Sequence, residues 1–167
     1  MRVAILTISD RSARGERADA SGPALAARLR QLDWEITRQQ IVPDEGDQIR
    51  ATLIAWVDED AADVILTTGG TGFAARDVTP EATLAVIDRE APGLAEAMRA
   101  ASMAVSPNAM LSRSRAGIRG RTLIVNLPGS PKGAVENLEV ILPALAHAVQ
   151  LLQGSSDAES GHAQAAV

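Results

Sequence analysis

Three times along this chain a short, largely apolar stretch that reads as a buried strand stops abruptly at a polar or glycine-rich loop, and a helical pattern follows. Residues 3–8 give way to Ser9-Asp10-Arg11, residues 63–67 to Thr68-Gly69-Gly70-Thr71-Gly72, and residues 121–127 to Pro128-Gly129-Ser130-Pro131-Lys132-Gly133. A strand apolar at successive positions, rather than at alternate ones, is buried on both faces, as in the middle of a parallel sheet. Between the runs, Leu25, Leu29 and Leu32 recur at helical spacing and predict a helix over residues 22–32. Ile49, Leu53 and Val57 do the same after the Pro43-Asp44-Glu45-Gly46 turn. This alternation predicts an α/β three-layer sandwich, with a mostly parallel central sheet flanked by helices. Loops at the carboxyl ends of such strands converge on one edge, which makes the three loops a candidate site on topology alone.

The remaining elements follow from local signals. Residues 10–21 read as an exposed loop and residues 35–42 as a second strand. Thr79 before Pro80-Glu81 predicts an N-cap for a helix continuing to Ile87. Residues 92–103 predict another helix, with Leu94, Met98 and Ala101 on one face. Residues 110–115 and 121–127 read as two strands around a turn at residues 117–120. Ser130 is expected to cap a closing helix with a stripe of Leu138, Leu142, Leu145, Val149 and Leu152, kinked at Pro143. Residues 154–167 carry no periodicity and are expected to be a disordered tail, leaving residues 1–153 as one domain.

Composition limits the chemistry. With 16 Lys plus Arg against 21 Asp plus Glu, the net charge of −5 argues against nucleic-acid binding, which is driven by phosphate neutralisation. Phe73, Trp34 and Trp56, the only aromatics, cannot build a base-stacking platform. The absence of cysteine removes thiolate nucleophiles and Cys-ligated metals, and His147 and His162 are too few for a histidine-based centre. What remains is carboxylates, hydroxyls, arginines, a single lysine and backbone N–H groups. The apolar runs at residues 3–8 and 140–152 are too short or too interrupted for a leader or a membrane span, so a cytoplasmic protein with no membrane partner is expected.

Within the three loops, Gly69, Gly70 and Gly72 let backbone N–H groups approach an anion closely, and Thr67, Thr68 and Thr71 add hydroxyls. The same residues equally make a plain strand-to-helix turn. The pattern is neither a Walker loop nor a dinucleotide fingerprint, since no Lys-Ser or Lys-Thr follows and Ala75 stands where a third glycine is needed. Asp77, just ahead of a helix, and Asp44, in a Pro-Asp-Glu turn, have structural readings as turn or dipole carboxylates and functional ones as Mg²⁺ ligands. Lys132 suits phosphate oxygens or is a solvated loop residue. Arg113, Arg115, Arg119 and Arg121 read as solvated hairpin charge, with a ligand-facing or intersubunit role open to one of them, and His147 as a partly buried helix residue.

Taken together, Ile8-Ser9-Asp10-Arg11, Val42-Pro43-Asp44-Glu45, LTTGGTG at residues 66–72, RDVTPEA at 76–82 and NLPGSPK at 126–132 resemble the molybdopterin adenylyltransferase family of molybdenum cofactor biosynthesis. The resemblance runs in unbroken order from about residue 2 to about residue 153. It implies an α/β sandwich, a homotrimer, and transfer of AMP from MgATP to the terminal phosphate of molybdopterin with release of pyrophosphate. A molybdenum insertase is the implied downstream partner. Asp44 and Asp77 are then the implied catalytic and Mg²⁺-binding carboxylates. Ser9, Asp10, Thr68, Gly69, Gly70, Thr71, Gly72 and Thr79 are the implied substrate-binding positions, and Pro128, Gly129, Ser130 and Lys132 the implied nucleotide-binding ones. The alternative is a non-catalytic molybdopterin-binding or scaffold protein of the same fold.

Overall fold

In the computed structural model, which describes residues 1–154, the first apolar run becomes β1 (Arg2–Ile8), buried from Val3 onward. The second and third become β3 (Val64–Thr68) and β6 (Thr122–Leu127), buried at every position. Around them lie α1 (Asp10–Ala13), α2 (Ser21–Gln31), β2 (Glu35–Val42), α3 (Gly46–Asp58), α4 (Thr79–Leu84), β4 (Arg89–Glu90), α5 (Pro92–Met103), a 3-10 turn (Pro107–Leu111), β5 (Ala116–Arg119) and α6 (Pro131–Leu152). One six-stranded sheet has the order β2-β1-β3-β6-β5-β4, with β2, β1, β3 and β6 parallel and β5 and β4 antiparallel additions. This is the expected sandwich.

Alternation within each strand supplies both layers. Val3 and Ile5, Val64 and Leu66, and Leu123, Val125 and Leu127 pack with Leu25 and Leu29 of α2, Met98 of α5 and the Leu138-Ile141-Leu145-Val149 stripe of α6. On the other face Ala4, Leu6, Ile8, Ile65 and Ile124 meet Ile49, Leu53 and Trp56 of α3 and Ala82 of α4. Burying an aliphatic side chain of this kind is worth about 1.5–3 kcal/mol. Among the buried polar residues, Asn126 donates to the hydroxyls of Thr67 and Thr83 and accepts from the Arg115 N–H, tying β3, β6 and α4 together.

Several local expectations are corrected. The stretch after Ser9 contains the short helix α1, capped by the Ser9 hydroxyl, which accepts from the Ser12 N–H at 3.2 Å. Residues 110–115 do not form a strand: Ser106 caps the 3-10 turn, and the chain then follows the glycine loop, with Arg113 N donating to Thr71 O at 2.9 Å. The ladder begins at Ala116, and the hairpin turns at Gly120, whose φ of 56° suits glycine, not across residues 117–120. Thr79 is not the N-cap of α4; Val78 holds that position without a side-chain cap, because the Thr79 hydroxyl is used elsewhere. In α6, Ile141 is buried where Leu142 and Leu152 are only partly so. By length and apolarity α6 alone among the described helices is long enough to cross a membrane, since it extends back to Pro131. Its apolar stripe is nevertheless spent on the sheet. The tail expected at residues 154–167 lies, from residue 155 on, outside the described residues.

Candidate functional site

The crossovers from β1 to β2 and from β2 to β3 pass to opposite sides of β1, so the strand order reverses between β1 and β3. Ligands of open α/β sheets sit at such a switch point, beyond the carboxyl ends of the strands. A cavity of about 220 Å³ opens there, walled by Ser9, Asp44, Thr68, Gly69, Gly70, Asp77 and Gly129. All three strand-end loops contribute.

The glycine loop is held by its acceptors. Gly69 O accepts from the Thr79 hydroxyl at 2.9 Å, Gly70 O from Thr79 N at 3.1 Å, Thr71 O from Arg113 N at 2.9 Å, and Gly72 O from Arg113 Nε at 2.7 Å. Gly69 N donates to Leu127 O at 3.2 Å. Among the described residues no acceptor takes the N–H groups of Gly70, Thr71, Gly72 or Phe73. A run of unclaimed backbone donors with positive φ at Gly69 (103°) and Gly70 (62°) has the character of the backbone nests that can receive an anion. The backbone approaches closely, because a Cβ on Gly129 would lie 3.1 Å from Gly69 Cα.

The carboxylates are arranged on the same wall. Asp10 and Asp44 clasp each other's backbone: Asp10 N donates to Asp44 Oδ2 at 2.7 Å and Asp44 N to Asp10 Oδ1 at 3.1 Å. Arg76 binds both oxygens of Asp10 at 3.0 Å and reaches Glu45 at 2.7 Å. Its guanidinium holds the Asp10 carboxyl below the usual range. Burial pushes the Asp44 carboxyl up, and the charges of Asp10 and Asp77 add to that, outweighing the Asp10 N–H. Asp77 Oδ2 accepts from Ala74 N at 2.9 Å, closing a tight turn. Each of Asp44 and Asp77 therefore has one oxygen, Oδ1, that receives no donor among the described residues. Two free carboxylate oxygens on one cavity fit Mg²⁺, which is held by one or two carboxylates with substrate phosphates completing its shell. No group of three or more acidic or histidine side chains among the described residues makes a stand-alone metal cage.

Other expected site residues are dispersed. Thr79 is fully buried and shapes the glycine loop from behind, while Thr68, also buried, donates to Pro128 O at 2.8 Å and reaches the cavity wall. Asp10 stands outside the cavity, behind Asp44. Thr71, Gly72 and Pro128 line a neighbouring cavity of about 320 Å³, between α5, the 3-10 turn and the start of α6. Ser130 caps α6 through Gly133 N at 3.1 Å. Lys132, 82% exposed and 3.7 Å from Glu136, lines neither cavity. Sequence reasoning passed over Asp19, whose carboxylate accepts from Ser21 N, Gly22 N and the Thr7 hydroxyl and builds one cavity wall. The signal was present as an aspartate two residues ahead of a Ser-Gly-Pro helix start.

A doubly wound sheet with unclaimed backbone N–H groups and two carboxylates at its switch point defines the class as an open α/β protein with a polar cavity at the carboxyl ends of its strands. The chain belongs to the family described as "Probable molybdopterin binding domain", whose profile matches residues 4–147. It is 43% identical over 157 residues to the molybdopterin adenylyltransferase of Helicobacter pylori, covering 93% of this chain and 89% of that one. It is 45% identical over 160 residues to gephyrin of Dictyostelium discoideum, spanning 90% of this chain but 22% of gephyrin. The crystal structure of the molybdopterin biosynthesis enzyme MoaB from Thermus thermophilus superposes with a TM-score of 0.87 at 52% identity, covering 92% of this chain and 97% of that one.

Proposed function

We propose that this protein is a molybdopterin adenylyltransferase: it transfers AMP from MgATP to the terminal phosphate of molybdopterin and releases pyrophosphate. The observation that carries this reading is a run of unclaimed N–H groups that begins at Gly70, on the cavity where Asp44 and Asp77 each keep a free oxygen, and continues through Thr71 and Gly72 along the neighbouring cavity. An oxygen of the pterin phosphate attacks the α-phosphorus of ATP, and the bond from that phosphorus to the bridging oxygen breaks. Such chemistry asks for positioning and charge neutralisation, and needs neither the cysteine nor the histidine this chain lacks. The N–H groups of residues 70–73 hold phosphate oxygens in place. Asp44 and Asp77 would hold Mg²⁺, which when bound neutralises the charge gathering on the phosphates. The larger cavity, with Val105, Leu111 and Pro128 beside the amides of Asn108 and Asn137, suits a flat heterocycle. The names of the relatives that match over most of their length support the reaction over the scaffold alternative. Incubation of the purified protein with molybdopterin and MgATP is expected to yield adenylylated pterin and pyrophosphate, and binding of both substrates without product returns the protein to the scaffold class.

The assembly is a homotrimer on this reading, in the cytoplasm and upstream of a molybdenum insertase. Val105, Met110 and Leu111, 73%, 63% and 46% exposed within seven residues, supply an apolar surface for a second copy. Light scattering is expected to give three times the 17.4 kDa chain mass, and a monomeric mass at micromolar concentration excludes it.

A further inference from the structure

We infer that Arg113 is a positioning residue for the glycine loop and Asp77, an inference that rests on the proposed reaction. A peptide unit is planar, so fixing a carbonyl fixes the direction of the N–H on the next residue. The four anchored carbonyls of residues 69–72 therefore orient the four unclaimed N–H groups of residues 70–73. Thr79 sets the first two through its hydroxyl and backbone N–H, and Arg113 sets the last two through its backbone N–H and Nε. The same guanidinium reaches the Asp77 carbonyl with Nη2, holding the peptide unit that carries one of the two cavity carboxylates. Its remaining fork meets Glu81 at the start of α4.

Arg113 does all this from behind the loop, since it lines neither the 220 Å³ nor the 320 Å³ cavity. Read from sequence it is one of four hairpin arginines, and its pair with the half-exposed Glu81 is an ordinary surface ion pair of little worth. The carbonyl contacts separate it from the others. Arg115 pairs with Glu90, Arg119 with Asp58 and the Val86 carbonyl, and Arg121 with the carbonyls ending α6, whereas Arg113 alone of the four binds the glycine loop. A planar five-donor fork spans three acceptors at once, and an ammonium does not.

Three variants of the whole chain test this. Arg113→Lys keeps charge and length but not the fork, Arg113→Gln keeps one amide donor, and Glu81→Gln breaks the outer ion pair while leaving the loop bonds. Each is assayed for adenylylation, for binding of inorganic pyrophosphate with Mg²⁺ by calorimetry, and for melting, with rates and affinities expressed per folded protein. Both Arg113 variants are expected to lose about tenfold or more in kcat/KM and in pyrophosphate affinity. Glu81→Gln is expected to stay within about twofold on both. Wild-type kinetics and pyrophosphate affinity in whichever Arg113 variant folds overturns the inference, as does an equal loss in Glu81→Gln. If the wild type makes no adenylylated pterin, the proposed reaction fails, and Arg113-dependent pyrophosphate binding still decides the positioning role.

Discussion

Asp77→Asn and Asp44→Asn are each expected to lose at least ~10²–10³ in turnover while folding normally. The substitution is nearly isosteric, and the amide oxygen of Asn continues to accept from Ala74 N at position 77 or from Asp10 N at position 44. What disappears is the negative charge on the second oxygen. Losing a cation ligand against reacting phosphates costs several kcal/mol of transition-state stabilisation, and each ~1.4 kcal/mol is a factor of ten in rate. At position 44 the folded state even gains a little, because a charge held above its usual pKa by burial and by Asp10 and Asp77 is removed. Molybdopterin binding is expected to survive in both, as the N–H groups of residues 70–73 are untouched. Steady-state rates beside melting curves decide the matter: wild-type turnover, or activity falling only with folded protein, assigns both carboxylates to structure.

Gly69→Ala is expected to be the most damaging glycine-to-alanine exchange among the described residues. The position has φ of 103°, where an L side chain is strained by about 1–3 kcal/mol. The added Cβ would lie 2.2 Å from Ile8 O, a backbone carbonyl at the end of β1 that cannot rotate away. Moving it displaces Ser9 and, through the clasp of Asp10 and Asp44, the acidic wall. A loss of roughly 3 kcal/mol or more in stability is expected from strain and overpacking together, with adenylylation absent even in the folded fraction. Gly93→Ala is the control: a Cβ there meets nothing within 4 Å, and the first turn of α5 gains about 0.5–1 kcal/mol from the exchange. Chemical denaturation of the two variants side by side is the measurement. Near-equal stabilities refute the close approach of Gly69 to β1.

The strands were the easiest elements to read, because β1, β3 and β6 are buried on both faces and carry apolar residues at successive positions, with only a few threonines and Asn126 among them. The stretch at residues 110–115 misled for the opposite reason. Met110 and Leu111 look like a strand's core face, yet they are largely exposed, and Arg113 spends its N–H on Thr71 rather than on a ladder. Periodicity cannot distinguish an apolar residue facing the core from one facing outward. The strand β4, two residues long, is below the reach of any periodic signal. At the site, topology brought Ser9, Asp44, residues 68–70, Asp77 and Gly129 to one cavity. Thr79 was misplaced because its hydroxyl is worth more on Gly69 O than on its own helix, a choice that depends on a loop ten residues away. Arg113 was grouped with its neighbours because no sequence pattern tells which arginine of four will meet a carbonyl 41 residues back.

The parallel ladder sets the order in which this molecule can be made. Val3 of β1 is paired with Val64 of β3, and Val64 with Leu123 of β6, so each central strand waits roughly 60 residues for its neighbour. Non-local pairing of this kind folds slowly, since chain closure comes before its reward. On a growing chain, β1 and β2 can pair early, but one edge of β1 then stays open with apolar side chains on both faces. The wall of the cavity runs from Thr7 to Gly129, so no amino-terminal fragment much shorter than the whole domain holds a ligand. A nascent chain of this protein is therefore inert and adhesive until its last strand arrives, which makes the interval before β6 emerges the one in which a chaperone matters most.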